Sequence, residues 1–170
     1  MTRALTYEEV KAANPCSDSF RRVAKILGGK DGWNGNRISA ADARAAGCTF
    51  DDIVWIASAI AKTDADVERR LRLWMADCAA RVLHIYEKTE TSEAPRNAII
   101  AARQFARGEI AHAAWDAAWA AALAAARAAA LAAARDAARD AEEAWQFDRL
   151  IARLSDDEPE DVPLPERASA

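Results

Sequence analysis

Two histidines, three cysteines and six glycines are all that 170 residues contain, and each scarcity removes a class of function. His84 and His112 stand alone without an HExxH spacing, and Cys16, Cys48 and Cys78 form no CxxC pair, so the usual zinc ligand sets are missing. An odd number of widely spaced cysteines makes no disulfide framework and fits a reducing, cytoplasmic setting. No stretch reaches the roughly 18 strongly apolar residues of a membrane span, and MTRALTYEEVKAAN has no apolar signal core. Period-two alternation is nearly absent, which argues against a sheet scaffold.

Charge of one sign is also missing from the body of the chain. The formal charge is −4, from 23 basic and 27 acidic residues. Much of the acidic excess sits in 155–170, where Asp156, Asp157, Glu158, Glu160, Asp161 and Glu166 face only Arg167. A near-neutral body with an acidic tail argues against nucleic acid as a partner. The composition of SDDEPEDVPLPERASA predicts a disordered tail.

What the chain has in quantity is helix signal. Thr6…Glu9 is a capping box opening a helix that ends near Asn14-Pro15. Phe20, Val23, Ile26 and Leu27 mark a second helix, stopped by Gly28-Gly29, and Gly28–Asn36 reads as loop. Ser39…Asp42 and Thr49…Asp52 open two more helices, the latter with Ile53, Val54, Ile56, Ala57 and Ile60 on one face. From Thr63-Asp64 a longer helix runs to about Lys88, with Val67, Leu71, Trp74, Cys78, Val82 and Ile85 as its buried stripe. Pro95 starts the next helix, which Gly108 ends.

The final segment is the unusual one. Residues 111–144 hold 21 alanines, and no Gly or Pro occurs between Gly108 and Pro159. Alanine is the best helix former, so nothing local stops a helix over 110–154. At 1.5 Å per residue it is about 67 Å long, whereas a compact domain of this size has a radius of gyration near roughly 15 Å. The fold class is therefore all-α: a bundle of short N-terminal helices plus a long Ala-rich C-terminal helix. Residues 1–62 form the short-helix part, 63–154 the part with the long helix, and 155–170 the tail.

Chemistry is weak throughout. Residues 39–61 imitate a helix-turn-helix, but the first turn of the second helix offers Phe50, Asp51 and Asp52, and carboxylates repel phosphate. Cys16 has no committed histidine, and no carboxylate is marked as buried and paired, as acid–base catalysis needs. The chain reads as non-enzymatic, with no cofactor and no metal. The candidate partner-binding residues lie on the alanine helix. Trp115 and Trp119, one turn apart, continue into Leu123 as an aromatic ridge, and Arg127, Arg135 and Arg139 share one arc. Asp136 and Asp140 dilute that arc, which favours a protein partner over nucleic acid.

Three blocks carry a resemblance. LWMADCAARVLHIYE (73–87), APRNAIIAAR (94–103) with FARGEI (105–110), and the closing EEAWQFDRLI (142–151) flank the alanine helix. Over about residues 50–154 the chain resembles the immunity-like family of bacterial and phage proteins. That resemblance implies a non-enzymatic binder that neutralises another protein, a toxin or a defence-system component, as an immunity factor or a phage anti-defence protein of the anti-CRISPR type. It implies no site residue. Members often interrupt the alanine helix with Gly; this chain does not, which argues against a family-like hairpin there. The alternatives are a self-assembling helical protein whose alanine faces pair between copies, making a homo-oligomer, and nucleic-acid binding or mimicry.

Overall fold

The computed structural model describes residues 4–13, 17–33, 37–88, 92–111, 139–155 and 157–166. The chain is all-α. Among the described residues the elements are β1 (Ala4–Leu5), α1 (Tyr7–Ala12), α2 (Ser17–Ile26), α3 (Gly29–Trp33), β2 (Ile38–Ser39), α4 (Ala40–Ala45), α5 (Phe50–Ile60), α6 (Ala65–Tyr86), α7 (Ala94–Ala106) and α8 (Arg139–Leu154). The expected single helix over 110–154 falls mostly outside the described residues; α8 is its last part.

Contacts divide the chain into two compact units that differ from the division drawn from composition. One is residues 1–71 with 149–159, the other 72–148 with 160–170. α6 and α8 each run unbroken through a boundary between these units and supply residues to both.

In the first unit, three capping boxes set the helix starts. Thr6, Ser39 and Thr49 each accept from the N–H three residues on, and Glu9, Asp42 and Asp52 each accept from the cap N–H in return. β1 and β2 pair antiparallel, with Ala4 opposite Ser39 and Leu5 opposite Ile38. The core collects Val10, Val23, Trp33, Ala43, Ile53, Ile56, Ile60, Val67 and Leu150, all buried. Around Trp33, Ile56, Ile60 and Leu154 it leaves an apolar cavity of about 60 Å³.

The segment expected to be loop, Gly28–Asn36, instead begins as helix α3. Gly28, at φ +81°, takes the left-handed conformation that ends α2. Gly32 then sits so close to the preceding turn that a Cβ there would lie 2.8 Å from the Leu27 carbonyl oxygen. These glycines let the chain turn back tightly enough to bury Trp33, whose Nε1–H donates to the Leu5 carbonyl at 2.9 Å. Tyr7 packs its ring edge on Trp33.

In the second unit α6 buries a different stripe from the one its large apolar residues suggest. Leu73, Ala76, Asp77, Ala80 and Leu83 are buried, while Trp74, Cys78, Val82 and Ile85 are only half-buried. The core is an alanine-lined seam: Ala76, Ala80 and Leu83 of α6 meet Ile99 and Ala102 of α7. Small side chains allow close approach, and the large ones flank the seam. Trp74 serves the flank, donating from Nε1 to the Gln146 carbonyl of α8 at 3.0 Å.

Over residues 157–166 the acidic tail is neither helix nor strand and is held by arginines, and Val162 and Leu164 pack on the α6–α7 core cluster. Composition hides this because the balancing arginines are distant in sequence, in α6 and α7.

Candidate functional site

Of the residues expected to bind a partner, Trp115, Trp119, Leu123, Arg127 and Arg135 lie outside the described residues. Arg139 opens α8, and its side chain is likewise outside them. His112 and Cys16 also fall there. The helix-turn-helix lookalike is a packing unit: Asp52 is fully buried, receives the Thr49 N–H at 2.9 Å and pairs with Arg22. Burial pushes the Cys48 thiol up, with the Asp52 charge adding to the shift. His84 is exposed and its Nδ1 lies 2.9 Å from the Arg81 carbonyl. Among the described residues no cluster of His, Cys, Asp and Glu could hold a metal ion, and no helix is long and apolar enough to cross a membrane.

The arrangement with the most organised chemistry is a groove between α6 and α7 in the second unit. At its base Asp77 is fully buried and Arg103 nearly so, with Nη2 of Arg103 donating to Asp77 Oδ1 at 3.1 Å. Each also bonds the main chain of one tail residue, while the buried Arg103 Nε has no hydrogen-bond partner among the described residues. The Val162 N–H donates to Asp77 Oδ1 at 3.0 Å, and Arg103 Nη2 donates to the Val162 carbonyl at 2.6 Å.

Flanking contacts extend the pattern along the tail. Arg107 pairs with Asp161, and Arg103 Nε also lies 3.4 Å from that carboxylate. Arg96 is bound by Glu87 through two hydrogen bonds, each 2.9 Å, and donates to the Pro165 carbonyl at 2.8 Å. Phe105 joins the apolar wall, with the Arg72 guanidinium 4.6 Å above its ring. Main-chain hydrogen bonds beside apolar pockets are the ordinary means of holding an extended peptide.

A second constellation in the same unit fixes the start of α8 to α6. Arg81 stacks over Trp145 at 4.3 Å and pairs with Glu142 at 2.7 Å. Gln146 donates to the same Glu142 at 3.2 Å. This seam anchors the chain where it leaves the alanine-rich segment.

Residues 61–145 match the family model described as "Imm-5 like putative immunity protein". The chain belongs to that family. No curated protein and no solved structure matches it.

The immunity-like match contains α6, α7 and the opening of α8, together with the alanine-rich segment. Asp77, Glu87, Arg96, Arg103 and Arg107 all lie inside it; the tail residues they hold do not. Periodicity does not mark Asp77 and Arg103, because it weighs apolar residues and both are charged residues on otherwise apolar faces. The available signal was their complementarity: Asp77 stands one turn from Leu73 and Ala80, Arg103 one turn from Ile99 and Ala106, two opposite charges on the apolar faces of successive helices.

Proposed function

We propose that this immunity-like chain is a non-enzymatic protein that binds and occludes another protein, in the manner of an immunity factor or a phage anti-defence inhibitor. The observation that carries the reading is the family match over 61–145. The buried carboxylates support it: Asp52 and Asp77 are each tied to arginine and to main-chain or side-chain donors, which suits scaffolding. The partner-binding surface is the alanine-rich segment, with Trp115, Trp119 and Leu123 as apolar anchors and Arg127, Arg135 and Arg139 as polar contacts. The cytoplasm, where a toxin or defence-system component acts, is the place of action.

Calorimetric titration of the purified chain against a toxin encoded beside its gene tests this. A saturable complex weakened by Trp119→Ala supports the reading; no heat of binding with any such toxin contradicts it. The self-assembly alternative predicts instead a dimer by light scattering that Ala126→Glu dissolves.

A further inference from the structure

The tail contacts have the form of ligand recognition. Every residue that reads the tail sits on a helix: Asp77 and Glu87 on or just past α6, Arg96 and Arg103 on α7, Arg107 at its C-cap. The tail itself carries Pro163 and Pro165, forms no helix or strand, and sets Val162 and Leu164, two positions apart, on the same cluster. Asp77 and Arg103 bond each other as well as Val162, as Glu87 and Arg96 do beside Pro165, so each charge keeps a partner when the tail leaves. These charges thus keep partners within the groove itself. Two of its arginines, Arg103 and Arg107, meet the acidic residue that precedes the first apolar one, and its apolar wall takes the side chains at alternate positions, 162 and 164. The groove belongs to the family-matched segment and the occupant does not.

We propose that the α6–α7 groove is a recognition site for an extended, acidic, proline-containing segment of a partner protein, and that residues 161–165 occupy it as an intramolecular ligand. A partner segment of this kind presents a carboxylate to Arg107, a main-chain N–H and C=O to Asp77 and Arg103, and two apolar side chains to the wall. Polyproline-like stiffness lowers the ordering cost of such a segment. Tethering gives the chain's own tail an effective concentration in the millimolar range, so it excludes weaker ligands until it is displaced. The proposal holds whether or not the partner is a toxin.

The test is fluorescence anisotropy with a labelled DEPEDVPLPE peptide, the sequence of residues 157–166, added to the full chain. Val162→Pro removes the N–H that Asp77 accepts, and Leu164→Ser removes an apolar anchor; both release the tail in cis. Each variant is expected to bind the peptide at least about tenfold more tightly than the unaltered chain, because the competing tether is gone. Adding Arg107→Glu to Val162→Pro should cut that binding by about fivefold or more through charge reversal. Three results overturn the proposal: both release variants keep native helicity yet do not bind; both lose their cooperative melting, which makes the tail a structural strap; or the unaltered chain is a dimer that the variants dissolve, which makes the occupant a second copy.

Discussion

Asp77 and Arg103 form a buried ion pair, 3.1 Å apart, and each also bonds the main chain of Val162. Burying two charges is favourable only when their hydrogen-bonding capacity is met, and truncating one partner leaves the other uncompensated. Asp77→Ala is therefore expected to destabilise the chain by about 3–5 kcal/mol in urea unfolding. Asp77→Leu combined with Arg103→Met should recover at least half of that loss. A double variant no more stable than Asp77→Ala contradicts this account of the pair.

Gly32 tests the tight return of the chain that buries Trp33. A Cβ would stand 2.8 Å from the Leu27 carbonyl oxygen, a main-chain atom that cannot swing aside. Gly32→Ala should cost about 1–3 kcal/mol, the usual range for overpacking, and shift the Trp33 fluorescence. A neutral substitution, despite the better helix propensity of alanine, disproves the close approach.

Thr49 caps α5 in a box with Asp52, and Asp52 also pairs with Arg22. Thr49→Ala is expected to cost about 1 kcal/mol, measured as a fall in urea midpoint, while Thr49→Ser retains most of the stability. If Ser and Ala behave alike, the hydroxyl is not the cap.

Acid stability follows from three carboxylates. The Arg69 guanidinium holds the Glu158 carboxyl below its ordinary value of 4.5, the Thr6 N–H lowers Glu9, and the Ser39 hydroxyl lowers Asp42. A carboxylate with a depressed folded pKa contributes stability that is complete above its unfolded value and lost as pH falls through the folded one. The urea midpoint should hold near neutrality and fall below about pH 4.5, and Glu158→Gln should flatten part of that fall. A midpoint that rises on acidification contradicts the assignment.

Much of the fold was legible because it rests on local chemistry. The boxes at Thr6, Ser39 and Thr49 involve residues three apart, so their capping follows from sequence alone. The α5 face of Ile53, Ile56 and Ile60 was legible for the same reason. The α6 stripe was not. Its buried face past Leu71 mixes Leu73 and Leu83 with Ala76, Ala80 and Asp77, which carry little apolar weight, and Asp77 depends on Arg103, 26 residues away. The tail was illegible for a related reason: Asp161 and Val162 are held by residues 54 and 59 positions distant. α3 was read as loop because its glycines suggest freedom, whereas Gly32 is there to permit close packing. The family block around 73–110 was readable by resemblance, while the groove inside it needed coordinates.

The central claim is that this chain neutralises another protein by binding it. Its most direct measurement is the growth of cells that express a toxin encoded beside the gene, with and without this chain. The account predicts that the chain restores growth, and that Trp115→Ala with Trp119→Ala, still folded, restores it far less. Failure of the unaltered chain to protect against any such toxin, while it remains folded and abundant, contradicts the claim.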